Sequence, residues 1–272
     1  MNYIGKEIEH IKYGKGIVIE QAGRLVTVDF PMHGKKIFRK REFEKHAGLE
    51  CENDEKVLEF LHERKIRKLM HFTQLSNLDS ILKEGLLPVN ELESLNHRFV
   101  RNDNLRLDGL NNCTCVSIEY PNVRLLETFR QMIPDSKWVI IALDANLLCN
   151  HKNYYSKYNA GSNEMRHTVK GNIYADNFRD LYTESFSVNL SSGIRYCTRK
   201  NIIAYPYLPT SEQAEILIEG KISVGDIRTI YFQNQEDMDP FFKRSEHRSI
   251  EFIVDATMFN TYRDEYKLFS ER

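Results

Sequence analysis

The chain has 272 residues, of which 41% are hydrophobic and 28% charged, and its formal net charge is −1. These values exclude a wholly disordered chain and give no global pull toward nucleic acid or membrane, so any basic surface must be local. The length suits one large domain or two unequal ones.

Residues 1–46 hold short alternating runs around 7–11, 16–20 and 25–30, with a fourth near 35–39, punctuated by Gly14, Gly16, Gly23 and Gly34. Ala22-Gly23 suits a tight hairpin turn. Ile17 and Ile19 face one way and Val18 the other, and Val26, Val28 and Phe30 alternate likewise. Short, strongly turned strands over residues 1–48 predict a small SH3-like β-barrel. The spacing H-x-x-Y-G-x-G-x-V resembles barrel modules appended to many bacterial proteins. This segment carries ten Lys/Arg against six Asp/Glu before residue 47. Lys35, Lys36, Arg39, Lys40 and Arg41 crowd together near Tyr13, Phe38 and Phe43. The run is either a nucleic-acid foothold or a solvated edge blunted by lysines, with Glu42 and Glu44 interrupting it.

Residues 49–69 predict a connecting helix, because Val57, Phe60, Leu61 and Arg64 recur at helical spacing and acidic residues lead basic ones. From 70 to 272 strands and helices alternate. Strand-like runs fall at 114–120, 138–143, 202–205, 215–218 and 229–232, and the last is EFIVDATMF. The fold class is α+β, with a mixed β core and helices. Five cysteines (51, 113, 115, 149 and 197) form no CxxC pair. Reduced, buried thiols are expected, and Cys113 and Cys115 lack the two further ligands a metal would need. No positive-then-apolar leader opens the chain, and no apolar run approaches the ~20 residues of a membrane span. A soluble cytoplasmic protein is expected.

The stretch HFTQLSNLDSILKEGL, residues 71–86, reads as a short helix with Leu78, Ile81 and Leu82 as its buried stripe. Ser76 and Asp79 form a capping-box pattern, and Gly85 suits a left-handed C-cap. His71, Thr73 and Asn77 serve neither caps nor stripe. They gather at the helix start, where backbone N–H groups favour an anion. A second anomaly lies in TSEQAEILIEG, residues 210–220. Read as a strand, Gln213, Glu215 and Leu217 share one face and Ala214, Ile216 and Ile218 the other. A carboxylate in so apolar a strand is either exposed at the strand end or in use.

Together, H-F-T-x-x-x-N-L-x-x-I-L-x-x-G-L and the later Q-A-E resemble the DarT family of nucleic-acid ADP-ribosyltransferases, toxins that attach ADP-ribose from NAD to a base of single-stranded DNA. The resemblance runs from about residue 71 to the C-terminus. It implies an ADP-ribosyltransferase-like fold, NAD as co-substrate and no metal. It further implies NAD contacts from His71, Thr73 and Asn77, and a catalytic glutamate at Glu215. The family also uses an arginine between the two motifs. Arg106 is preferred and Arg101 is the alternative, because RLDG followed by a strand matches one branch of the family. The polar segment over 175–209 resembles a substrate-recognition loop, with Arg195, Tyr196 and Arg199 as candidates to grip nucleic acid. Gln213 is the candidate for reading the acceptor base.

Breaking the nicotinamide–ribose bond builds positive charge on the sugar, which a fixed carboxylate stabilises more than it stabilises the neutral ground state. Glu215 would also hydrogen-bond a ribose hydroxyl or take a proton from the attacking base. The resemblance implies a cognate antitoxin and a role in toxin–antitoxin or phage-defence systems, with no membrane partner. Alternatives are the same reaction on RNA, a non-catalytic nucleic-acid-binding protein on a transferase-like fold, and transfer to a protein side chain or water.

Overall fold

A computed structural model describes residues 3–10, 12–23, 25–39, 43, 49–94, 99–100, 106–244 and 249–270. The chain divides into Met1–Lys56 and Val57–Arg272. In the first unit β1 (Glu7–His10), β2 (Gly14–Ala22), β3 (Leu25–Phe30) and β4 (Gly34–Arg39) follow one another as an antiparallel meander. The alternation in sequence sends Ile8, Val18, Val26, Val28, Phe30 and Phe38 to one buried face, joined by Tyr3 and Phe43. Gly16 is needed there, because a Cβ would lie 2.5 Å from the Phe30 ring. Among the described residues the four strands make an open sheet with no ladder between β1 and β4, so the expected barrel closure is not seen.

Of the basic run, Lys35 has an acid opposite it, whereas Lys36 faces Val28 and Arg39 faces Leu25. Lys35 pairs across from Asp29, Asp29 from Ile17, Ile17 from Glu7, and Lys15 from Glu9. Opposite charges on adjacent strands suit a solvated surface. Lys40, Arg41, Glu42 and Glu44 lie outside the described residues.

Helix α1 (Leu49–Arg64) straddles the boundary between the units, and its apolar stripe of Val57, Phe60 and Leu61 enters the core of the larger unit. Burial of such side chains stabilises by about 1.5–3 kcal/mol each. The strands of the larger unit are β5 (Lys68–Gln74), β6 (Cys113–Ile118), β7 (Trp138–Asp144), β8 (Asn153–Ser156), β9 (Ser185–Leu190), β10 (Gly193–Thr198), β11 (Glu215–Glu219), β12 (Ile227–Phe232) and β13 (Glu251–Val254). Seven of them form one sheet in the order β13-β12-β7-β5-β6-β11-β8, antiparallel except for β12 beside β13. Its helices are α2 (Leu78–Glu84), α3 (Val89–Ser94), α4 (Val123–Met132), α5 (Met165–Thr168), α6 (Ala175–Asp180), α7 (Gln235–Arg244) and α8 (Asp264–Ser270).

One irregularity organises the sheet. β5 pairs with β7 along its whole length, from Lys68↔Asp144 to Gln74↔Trp138. With β6 it pairs only at Leu69↔Ile118 and Met70↔Ser117. From His71 onward the two strands part, and the sheet is split along its middle.

Several local expectations change. The stretch His71-Phe72-Thr73 is strand, not helix lead-in, and a 3-10 turn over Leu75–Asn77 joins it to α2. The Ser76/Asp79 capping box does not form, since α2 starts from an Asn77 that is already helical and has no side-chain cap bond. Gly85 does end the helix, but at φ 87° and ψ −175°, a glycine-only region distinct from the left-handed helical one. Its turn lets Leu86 pair with Ile222 through bonds of 3.0 and 2.9 Å. Residues 202–205 are successive turns instead of a strand, closed by Ile202 N–H to the Arg199 carbonyl and Tyr205 N–H to the Ile202 carbonyl, both 2.9 Å. The segment 175–209 is no open loop, because it contains α6 and the β9–β10 hairpin.

A Cβ at Gly85 would lie 2.2 Å from the Ile222 carbonyl oxygen. Gly85→Ala is therefore expected to destabilise by at least about 2 kcal/mol in urea unfolding. Gly171→Ala, where a Cβ meets nothing within 4 Å, is expected to be neutral or slightly stabilising in the same assay.

Candidate active site

A cleft of about 350 Å³ is lined on one side by His71 and Thr73 of β5 and on the other by Cys113, Thr114 and Cys115 of β6, the strands that part after Met70. Asn77, Arg106, Asn122, Asn159 and Glu215 complete the polar part of the wall. Five residues singled out in the sequence, His71, Thr73, Asn77, Arg106 and Glu215, thus meet at one cavity.

His71 stands at the point of separation. Its Nδ1 lies 2.9 Å from the Cys115 carbonyl oxygen. A carbonyl only accepts, so Nδ1 carries the proton and Nε2 is left with a lone pair. Burial pushes the imidazole below its ordinary pKa; the Cys115 bond opposes this and the Arg106 charge adds to it. The ring is therefore neutral at pH 7, and Nε2 suits a hydroxyl donor better than a phosphate oxygen.

Glu215 opens β11, next to Ser156 of β8, and is buried instead of exposed at the strand end. Both carboxylate oxygens have partners. Asn159 Nδ2 donates to Oε1 at 3.1 Å, and the Ala160 N–H donates to Oε2 at 2.9 Å. Asn159 is itself oriented by accepting from the Gly161 N–H at 3.0 Å. Burying a carboxylate costs several kcal/mol unless such donors offset it. Leu217 follows on the Glu215 face, while Ile216 and Ile218 enter the main core, which confirms the alternation of the strand.

Arg106 sits at φ 40°, a strained conformation for a non-glycine residue. Its guanidinium donates to the carbonyls of Leu110 and Cys113, approaches Cys115 Sγ at 3.3 Å, and pairs with Asp108 at 3.3 Å. Arg101 lies outside the described residues. Desolvation pushes the Cys113 thiol up to about 12 and the Cys115 thiol higher still; Arg106 opposes the Cys115 rise and Glu215 adds to it. Both thiols stay protonated, which leaves Glu84, Asp108 and Glu215 as the acidic groups lining the cleft, with Asp108 paired to Arg106. Asn77 bridges the wall by donating to Thr73 Oγ1 and the Val100 carbonyl and accepting from the Val100 N–H, each at 3.0 Å. It shapes the cleft more than it presents free donors. The seven-residue α2 does not supply an anion site of its own, since a 3-10 turn precedes it.

The remaining sequence candidates do not line this cavity. Gln213 lies before β11, not within it, and its amide is paired with that of Asn122 at 3.2 and 3.3 Å. This pairing holds Gln213 against Asn122 at the start of α4. Arg199 is buried, donating to the carbonyls of Leu208 at 2.6 Å and Tyr205 at 3.4 Å. These bonds close the turns after β10. Arg195 remains half-buried and Tyr196 is 72% exposed on the hairpin. Sequence reasoning missed Asn159, which fixes the carboxylate, and Asn122, which caps α4 by accepting from the Leu125 N–H at 3.1 Å. An Asn-Ala-Gly turn after a strand is too common a pattern to single out on its own.

A family described as "ssDNA thymidine ADP-ribosyltransferase, DarT" matches residues 70–260, more than half of the chain. Among solved structures, Thermosipho africanus DarTG in complex with ADP-ribose is 20% identical with a TM-score of 0.47, covering 71% of this chain and 51% of that one. The present chain thus spans about half the length of that relative. Thermus sp. 2.9 DarT in complex with NAD+ is 13% identical with a TM-score of 0.45, over 71% and 97% of the two chains. The same Thermus protein with ADP-ribosylated ssDNA is 10% identical with a TM-score of 0.42, over 71% and 96%. Comparison with curated proteins gives no match.

Asn159→Ala removes the donor to Oε1 and frees the carboxylate to move. Turnover is expected to fall by about 10²-fold, with a smaller change in the Michaelis constant, in steady-state assays. A protein whose turnover is unchanged would show that Asn159 does not position Glu215. A lowered histidine pKa means stability present above the ordinary value is lost as pH falls through the folded-state value. The thermal unfolding midpoint is thus expected to fall below about pH 6.5, and a His71→Asn variant should lose part of that slope.

Proposed function

The chain belongs to the DarT family of single-stranded-DNA thymidine ADP-ribosyltransferases, and on that premise we propose that it transfers ADP-ribose from NAD to a thymidine base of single-stranded DNA, releasing nicotinamide. The observation that carries this reading is the buried Glu215 carboxylate, held by two donors at the wall of a cleft shared with His71, Thr73, Asn77 and Arg106.

The cleft fits the co-substrate by the chemistry of its donors. NAD bound there supplies an ADP-ribosyl group whose bond to nicotinamide is the one that breaks. His71 Nε2 accepts from a ribose hydroxyl, and Thr73 offers a hydroxyl beside it. Asn77 braces Thr73 against Val100. Arg106 holds a positive charge near the cleft that favours the diphosphate and lowers the cost of the nearby carboxylate. Glu215 contributes fixed negative charge, which stabilises positive charge on the sugar more than it stabilises the neutral group. The new bond forms between the sugar carbon and the base, and Glu215 accepts the proton the base gives up. Tyr196, exposed on the hairpin, offers an aromatic face to an unpaired base.

No helix among the described residues is long and apolar enough to cross a membrane. We assign the reaction to the cytoplasm, where NAD and nucleic acid meet. Modification of a cell's own DNA bases would be harmful, so a cognate antitoxin protein is the partner this chemistry calls for, with toxin–antitoxin or phage defence as the setting.

Labelled NAD, offered with separate pools of single-stranded DNA, RNA and cell protein, tests the assignment. Label on DNA is expected, and Glu215→Gln should lower it by about 10²–10³-fold. Label on RNA alone would move the acceptor to RNA, label on protein alone would overturn the reading, and no label on any pool would leave a binding protein.

A further inference from the structure

Beside the cleft lies a second cluster that the transfer chemistry does not use. Glu212 is 5% exposed, yet its carboxylate meets two arginines from different elements. Arg195 Nη2 of β10 lies 3.2 Å from Oε1, and Arg124 Nε of α4 lies 3.5 Å from the same atom. The side chains of Arg124 and Arg195 are 42% and 30% exposed. Among the described residues Arg124 Nε and Glu212 Oε2 are buried without a hydrogen-bond partner, so the Arg124–Glu212 contact is an ion pair only. Tyr158 stands within electrostatic reach of Arg195, Glu212 and Arg124. The Arg124 guanidinium also lies 5.7 Å from the centre of the Tyr266 ring.

A buried carboxylate that uses one oxygen to hold two partly exposed guanidiniums is costly as a stability device, since a hydrophobic residue of that size would do better. It makes sense as a way to hold two cationic forks toward one ligand. The cluster carries a net charge of about +1 by the ordinary states of Arg and Glu. Its position is tied to the catalytic carboxylate by three short chain links. Arg124 lies two residues after Asn122, Tyr158 lies next to Asn159, and Glu212 lies three residues before Glu215. In each link one residue belongs to the carboxylate site or its wall and the other to the arginine cluster.

From this juxtaposition we propose that Arg124 and Arg195, gathered by Glu212, form a phosphate pincer for the backbone of the acceptor strand, next to the base being modified. This rests on the transferase reading above, but the binding it describes is measurable without turnover. The shared chemistry is a phosphate diester or diphosphate, so the donor's diphosphate is the competing source.

The test uses the full chain and a fluorescently labelled thymidine-containing single-stranded DNA oligonucleotide, read by anisotropy without NAD, beside calorimetry with NAD alone. Arg124→Gln and Arg195→Gln are each expected to weaken oligonucleotide binding about tenfold. Each should also reduce the slope of log affinity against log salt by about 0.7, while NAD affinity changes less than twofold. Lys243→Gln, an exposed cation on α7, should change oligonucleotide affinity less than twofold. Arg124 is on the helix surface, so its variant keeps the test open if Arg195→Gln fails to fold. Unchanged oligonucleotide affinity in the Arg124 variant would overturn the pincer. So would a tenfold loss of NAD affinity, which would assign the arginines to the donor, or an equal loss in Lys243→Gln. A protein that binds the oligonucleotide through Arg124 yet labels no nucleic acid would keep the pincer and remove the transferase reading.

Discussion

The site depends on one broken ladder. β5 and β6 pair at Leu69 and Met70 and then separate, and the next residue, His71, turns its imidazole onto the Cys115 carbonyl. A backbone acceptor left at a sheet split must find another donor, because a buried unsatisfied carbonyl costs about 1–3 kcal/mol. The histidine side chain satisfies it. That bond fixes the tautomer of the ring, which in turn decides what the cleft can bind at Nε2.

The opposite wall depends on the same logic applied to a charge. Glu215 opens a strand whose other face enters the main core, so its position is set by packing that has nothing to do with chemistry. Its carboxylate is tolerable because Asn159 and the Ala160 N–H meet both oxygens. A third strained element, Arg106 at positive φ, is anchored by carbonyls and by Asp108. Each of these groups is unfavourable alone, and each is held by neighbours from a different stretch of chain. The extensive apolar core on the far face of the sheet is what offsets them, from Val57 and Phe60 of α1 to Phe178 of α6 and Phe232 of β12.

The hairpin and the segment leading into β11 are likewise joined by charge, through Glu212 between Arg195 and Arg124. The segment Ser211-Glu212-Gln213-Ala214-Glu215 is buried throughout. Its side chains divide between supports and site. Gln213 steadies the start of α4, Glu212 gathers the arginines, and Glu215 faces the cleft. The outer face of the first unit sets Lys15 across from Glu9 and Lys35 across from Asp29.

By itself, the sequence determined the strands of the first unit, the α+β class, the apolar stripe of α2 and the need for glycine at 85. All of these follow from local period or backbone sterics, which a linear reading captures. It also marked His71, Thr73, Asn77, Arg106 and Glu215, because polar residues at otherwise explained positions stand out and their pattern resembles a family. It misread the cap at Ser76, the strand at 202–205 and the place of Gln213, which precedes β11. Their roles depend on which partner a side chain or backbone group finds, and those partners lie far along the chain or in turns with no strong period. Asn159 was invisible for the same reason, since nothing local links it to a carboxylate 56 positions away. Only the tertiary structure decided where the sheet splits, which imidazole nitrogen is bare, and which arginines share a buried glutamate. Hydrogen bonds and ion pairs between distant segments are set by how strands are ordered, and that order is not written in any one stretch of residues.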